Sequence, residues 1–159
     1  MDAIELLTHQ HREIENFFRE IRLLDRSEPQ SRRAIFELLR DAIEAHDQYE
    51  EQVFYPAAHA RRTAKHLVAA QAEHRIVRER LQAMRELDVG EPRFDQALLA
   101  LEEAVRAHHR AAELELMPQV RTQLGSIRLF ELGQEMEALT ERQDAEPEQG
   151  ARDPHPPPL

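Results

Sequence analysis

Apolar residues recur every three or four positions along most of this chain, a spacing that places them on one face of an α-helix. In the first segment this stripe is formed by Ile4, Leu7, Ile14 and Phe18. The pattern breaks at residues that interrupt helices, such as Gly125. It predicts five helices, at about residues 2–24, 31–56, 63–87, 93–118 and 127–142.

The chain also contains an internal repeat. His11-Arg-Glu-Ile returns as His74-Arg-Ile-Val sixty-three residues later, and residues 45–56 return as residues 107–118, sixty-two residues later. Two similar helical hairpins with short loops pack most simply as an up-down-up-down bundle. We therefore predict an all-α four-helix bundle built from the repeated hairpins.

Composition sets the domain limits and excludes several classes of function. The four predicted helices and a short fifth C-terminal helix form one predicted domain, residues 1–142, and the charged, proline-rich residues 143–159 form a predicted disordered tail. A net charge of −10 argues against nucleic acid as a partner. The absence of cysteine excludes thiolate sites, so any metal must bind nitrogen and oxygen. The N-terminus lacks an apolar signal segment and no apolar stretch could span a membrane, which predicts a soluble, cytoplasmic protein without a membrane partner.

Each of the four long helices carries one histidine on its apolar stripe. With a rise of about 1.5 Å per residue, His11 and His74 lie about 20 Å along their helices from the connecting loops, and His46 and His108 about 23 Å. Burying several polar side chains in one layer costs several kcal/mol unless they satisfy one another. Four histidines at one level, with Glu50 one turn after His46, favour a metal centre, and their nitrogen and oxygen ligands suit iron, manganese or zinc.

The chain resembles the hemerythrin or HHE cation-binding domain over about residues 3–120. The most specific feature is His-x-x-x-Glu-Glu-x-x-Phe-Tyr-Pro, which starts at His46, and Glu73-His74 follows on the third helix. The resemblance implies two non-heme iron ions bridged by carboxylates, with an oxo bridge as a further option. It implies a ligand set in which Glu50 bridges and the terminal ligands are His11, His46, His74 and His108.

The residue that supplies the second bridging carboxylate is harder to assign. The position in the fourth helix that matches Glu50 is Ala112, so the resemblance implies that Glu113, five residues after His108, supplies the bridge. That spacing turns the side chain away from the histidine and requires local unwinding or a π-bulge. A competing register pairs His109 with Glu113 and leaves His108 outside the ligand set. We favour His108.

A missing ligand bears on function. Oxygen-carrying hemerythrins have a second histidine on the third helix, where this chain has Ala70 and Arg78 on either side of His74. This implies an open position and argues against simple oxygen transport. The leading hypothesis is a di-iron protein that binds or senses O2, NO or peroxide, or acts in redox or iron homeostasis. Alternatives are a peroxide-consuming oxidoreductase, a metal store and a structural bundle, and the sequence leaves the oligomeric state open.

Overall fold

The computed structural model describes residues 1–145, which form an up-down-up-down four-helix bundle with a fifth C-terminal helix and no strand in that range. This confirms the predicted all-α fold. Helices α2 and α5 each continue directly into a short π-helical segment. The elements in order are α1 (Ala3–Leu23), α2 (Pro29–Tyr49), π1 (Glu50–Phe54), α3 (Tyr55–Ala58), α4 (Ala64–Met84), α5 (Pro92–Ala111), π2 (Ala112–Leu116) and α6 (Met117–Asp144).

Local signals in the sequence explain where these helices begin. Asp2 caps α1 by accepting a hydrogen bond from the backbone N–H of Glu5, and the Glu5 carboxylate accepts one from the backbone N–H of Asp2, both at 2.9 Å. Such a reciprocal box satisfies two backbone donors at the helix start. Helices α2 and α5 begin with Pro29 and Pro92, whose missing N–H has no helical partner at that position anyway.

The apolar core is divided in two by a layer of buried polar side chains. One cluster lies towards the loops that join the hairpin helices and includes Phe18, Phe36 and Phe94. The other lies at the opposite end and includes Leu7 and Phe54. The histidines of the apolar stripes occupy the layer between the two clusters, where helical spacing had placed them.

Helix α6 changes direction at Gly125 and closes one end of the bundle. Gly125 has φ of 75°, a left-handed conformation that glycine adopts without steric cost. Beyond it, Leu129, Leu132 and Met136 are completely buried in the second core cluster. At Gly133 the backbone of the N-terminus approaches so closely that a β-carbon would lie 2.5 Å from a carbonyl oxygen. The part of α6 after Gly125, which corresponds to the predicted fifth helix, therefore caps the bundle.

The C-terminal boundary differs slightly from the sequence prediction. Helix α6 runs to Asp144, so Gln143 and Asp144 are helical although the predicted tail began at residue 143. Residues 146–159, which make up the rest of that predicted tail, lie outside the described part of the chain. Among the helices of residues 1–145, none combines the length and apolar character needed to cross a membrane.

Candidate metal centre

Three histidines on three different helices converge at one side of the polar layer. One ligand atom each of His11, His46 and His109 lies within 4.8 Å of the other two. His11 Nε2, His46 Nε2 and His109 Nδ1 are buried and have no hydrogen-bond partner among residues 1–145. Buried polar atoms are nearly always paired, so a cluster of unpaired nitrogens fits a cation site. We call these residues the three-histidine group.

Glu50 lies at the centre of the layer and is completely buried. Its Oε1 has no hydrogen-bond partner within the described chain and lies 3.6 Å from His46 Nε2. Its Oε2 lies 2.9 Å from His74 Nε2 and 3.2 Å from His108 Nε2. The two carboxylate oxygens therefore face two different sets of nitrogens, an arrangement that suits a bridging ligand.

A second group of potential ligands lies on the Oε2 side. His74 Nε2 and His108 Nε2 are 3.0 Å apart, and Asp47 Oδ1 is 3.6 Å from His74 Nε2. Together with Glu50 these residues offer two nitrogens and two carboxylates, and we call them the carboxylate–histidine group. The Tyr55 hydroxyl donates a 2.7 Å hydrogen bond to Glu50 Oε2 and is 3.2 Å from His74 Nε2.

An outer set of acceptors orients four of the histidines. In each case the Nδ1–H donates to a side-chain oxygen, so a neutral ring presents its Nε2 lone pair to the centre of the bundle. Such partners fix the tautomer and the direction of the ring. The pairs are His11 with Glu113 at 2.6 Å, His46 with Gln10 at 2.9 Å, His74 with Glu51 at 2.9 Å and His108 with Glu73 at 2.6 Å.

The two groups differ in their electrostatics. Burial lowers the pKa of His46 to about 3 and also lowers the pKa values of His11 and His109, so the three-histidine group is neutral, as metal donors must be. At His108 burial also opposes the charged ring, but hydrogen bonds to Glu50 and Glu73 outweigh it and raise the pKa to about 10. The Glu50 pKa falls well below its ordinary value, because the surrounding histidines outweigh its burial.

The two π-helical segments each lie just before a proline, Pro56 or Pro118. Proline within a helix clashes with the carbonyl four residues earlier. For Pro56 and Pro118 that carbonyl belongs to Gln52 and Leu114, which lie inside π1 and π2 respectively. The wider turn relieves the clash and shifts the directions of the side chains at its start. A π-segment in the fourth helix is what the predicted role of Glu113 required.

The structure brings together five of the six residues predicted as ligands: His11, His46, Glu50, His74 and His108. The sixth, Glu113, lies at the edge of the site, where its carboxylate pairs with His11 Nδ1 and with the Arg12 guanidinium at 2.7 Å. Its role as a bridging ligand therefore remains a prediction.

The sequence offered either His108 or His109 as the histidine ligand from the fourth helix. In the structure the two are not alternatives, because both lie in the polar layer. Sequence analysis missed Asp47, which falls beside the apolar stripe rather than on it. The repeat contained a usable signal, since Asp47 matches His109 sixty-two residues later.

Comparisons with known proteins identify the family of the chain. The family model of the hemerythrin HHE cation binding domain matches residues 2–120. The crystal structure of a hemerythrin HHE cation binding domain-containing protein, the Rv2633c homolog from Mycobacterium kansasii, superposes with a TM-score of 0.80 at 26% identity, covering 91% of this chain and 88% of that chain. A search of curated proteins found no match. The chain belongs to the hemerythrin HHE cation-binding domain family.

Proposed function

We propose that this protein is a non-heme di-iron protein that binds or senses a small ligand, namely O2, NO or peroxide. The observation that carries the proposal is the set of four buried, unpaired atoms that converge in an otherwise apolar core: His11 Nε2, His46 Nε2, His109 Nδ1 and Glu50 Oε1. Leaving such atoms without a partner costs about 1–3 kcal/mol each, and a bound cation removes that cost.

The donor atoms divide naturally between two ions. The three-histidine group would hold one, and the carboxylate–histidine group would hold the other, with Glu50 shared between them. Bound iron would supply redox chemistry and a coordination position for the ligand. The surrounding chain would limit the access of bulk water, because the apolar clusters close the layer at both ends of the bundle. The cytoplasmic location remains a prediction from the sequence.

The decisive experiment is to purify the protein without chelator, determine metal per chain and record absorption spectra of the oxidised and reduced, air-exposed states. We expect about two irons per chain, as in other carboxylate-bridged bundles. His109→Ala should lose about one iron because it removes a donor from the three-histidine group, whereas His9→Ala on the exposed face should lose none. One metal or none in the parent protein, even after anaerobic iron loading, would contradict the proposal.

A peroxide-consuming oxidoreductase is the second candidate, and one observation favours it. The Tyr55 hydroxyl is buried and hydrogen-bonded to Glu50, so a proton donor lies beside the proposed ions. With an added reductant that supplies two electrons per H2O2, such an enzyme would remove many equivalents of H2O2, and Tyr55→Phe would slow turnover by about 100-fold or more if the hydroxyl transfers the proton. Consumption of only stoichiometric peroxide would leave the binding or sensing role.

The geometry gives less support to a metal store, which needs carboxylates beyond those that hold two ions. The two nearby candidates are already engaged. Glu51 accepts hydrogen bonds from His74 and Arg78, and Glu115 lies 3.5 Å from His66 at the surface. Loading with excess iron would test this, since a store would take up many ions per chain.

A further inference from the structure

A small cavity adjoins the proposed metal centre between α4 and the junction of α5 with π2. It has a volume of about 90 Å³, and its inner wall is formed by Ala70, Ala112 and the His108 ring. Its outer rim includes Ala111 and Glu115. Ala70 and Ala112 are both buried, whereas Ala111 is partly exposed, so the cavity leads from the surface towards a proposed ligand.

The cavity exists because two helices carry alanine at positions facing the centre. Ala112 matches Glu50 in the repeat, so a methyl group stands where the other hairpin places a buried carboxylate. Ala70 lies one turn before His74 and is equally small. The missing side-chain volume has not been filled by neighbouring residues, although protein interiors are normally packed to near-crystalline density.

The size and charge of the cavity limit what it can hold. An apolar cavity of about 150 Å³ accommodates benzene, so this smaller space suits a ligand of two or three heavy atoms. Its polar lining includes the carboxylates of Glu73 and Glu115, beside His66. Negative charge in the lining disfavours anions, so the cavity suits an uncharged ligand.

A second opening near the site has a different character. A cleft of about 270 Å³ between α1 and α5 reaches the edge of His109, and its charged lining consists of three arginines, Arg12, Arg106 and Arg110, and two glutamates, Glu15 and Glu113, both of which pair with Arg12. Because the arginines outnumber the glutamates, this cleft disfavours anions less than the cavity beside Glu73 and Glu115 does. The two openings therefore differ in the ligands that they would admit to the proposed metal centre.

We propose that the cavity between Ala70 and Ala112 is the access and binding pocket for an uncharged ligand of two or three heavy atoms, such as NO, O2 or H2O2. This inference rests on the proposed di-iron function, and it assigns the specificity of the site to the two alanines. It makes Ala111 a control point, because a larger side chain there closes the rim without touching a proposed ligand.

Access can be measured independently of iron chemistry by methyl NMR. In protein labelled at the alanine methyls and reconstituted with diamagnetic Zn²⁺, dissolved O2 should enhance relaxation of the Ala70 and Ala112 methyls several-fold more than those of Ala3 and Ala58. The latter two are completely buried in the same core cluster and serve as internal references. Equal enhancement at all four methyls would overturn the proposal.

Closing the cavity provides the second test. In the reduced, iron-loaded protein, Ala111→Phe should slow NO association in stopped-flow measurements by about tenfold or more, because binding then waits for the rim to open. Ala107→Phe, an equally large change at an exposed position one turn earlier on α5, should leave the rate unchanged. All variants should retain the same iron content.

The outcomes separate the two proposals. An unchanged rate in Ala111→Phe, or slowing only when Leu114→Trp narrows the basic cleft, would overturn the pocket assignment while leaving the di-iron function intact. A parent protein without iron would overturn the di-iron function itself. In that case the relaxation of the Ala70 and Ala112 methyls still decides whether small uncharged molecules enter the cavity.

Discussion

The two hairpins of the bundle use the same supporting contacts for different central residues. In the second half of the site, His74 donates to Glu51, which also accepts from Arg78. In the first half, His11 donates to Glu113, which lies sixty-two residues after Glu51 and likewise accepts from an arginine. The outer framework of the site is therefore repeated, with each hairpin supplying the acceptor for a histidine of the other.

The central positions differ between the hairpins. Asp47 and Glu50 of the first hairpin correspond to His109 and Ala112 of the second. One side of the centre is consequently rich in nitrogen and the other rich in carboxylate, and the unfilled space lies on the second hairpin. The comparison teaches that one repeated backbone can hold two chemically distinct sites, because only the residues at the centre need to change.

The largest expected effect comes from the central carboxylate. Glu50→Gln should reduce bound metal from about two ions per chain to one or fewer, because an amide is uncharged and offers only one oxygen. Metal analysis after dialysis measures this. The exposed Glu44→Gln, on the preceding helix α2, is the matched control and should retain both ions.

Moving the buried carboxylate from the first hairpin to the second tests whether the two hairpins are interchangeable. If the halves are interchangeable, the double variant Glu50→Gln with Ala112→Glu should recover the second ion, because the carboxylate returns from the repeated position. Metal content that stays at the level of the single variant would show that the hairpins are equivalent in their backbone only.

Next in size are the two peripheral carboxylates that occupy equivalent positions. Glu113→Gln and Glu51→Gln should each lower metal affinity by about 10- to 100-fold with unchanged stoichiometry, since each carboxylate orients a histidine. Competition with a chelator measures the affinity. If Glu113 is the second bridge, as the sequence suggested, Glu113→Gln will lose an ion and Glu51→Gln will not.

The other two orienting residues, Gln10 and Glu73, differ in charge, so we expect exchanging their chemistry to change metal affinity in opposite directions. His46 donates to a neutral amide, Gln10, whereas His108 donates to a carboxylate, Glu73. Gln10→Glu should tighten metal binding by up to about tenfold, because a charged acceptor raises the basicity of the ring, and Glu73→Gln should weaken it by a similar factor. Changes of the same sign in both variants would contradict this account.

The smallest expected effect concerns stability at the start of the first hairpin. Asp2→Ala should lower the free energy of unfolding by about 1 kcal/mol, because it removes the side-chain cap of α1. Glu91, the residue before α5, makes no capping hydrogen bond, so Glu91→Ala should change stability less. Chemical denaturation of the metal-loaded variants compares the two, and equal losses would argue against the capping box as the cause.

The sequence predicted the fold and the level of the site well because both follow from local spacing. A helix buries residues three and four positions apart, so the apolar stripes located the five helices, and His11, His46, His74 and His108 fell into one layer. The capping residues and prolines then set most helix starts. The C-terminal end of α6 lies two residues beyond the predicted end, since helix ends depend weakly on the sequence pattern. Its start at Met117 lies ten residues before the predicted fifth helix, because α6 also includes the residues that precede the kink at Gly125.

Only the tertiary structure determined how the fourth helix contributes to the site. Successive side chains of a helix point about 100° apart, and the π-segment changes that relation locally, so spacing alone could not orient Glu113. The position of Glu113 also depends on His11 and Arg12, which belong to a helix about one hundred residues earlier in the chain.

The sequence by itself thus determined an all-α bundle with a buried histidine layer, because each helix carries its own apolar stripe and burying that stripe stabilises the bundle. The tertiary structure alone decided which atoms meet in that layer, where Asp47 joins it and where Ala70 and Ala112 leave a cavity. Those features arise between helices, where side-chain directions and packing depend on residues distant in the chain.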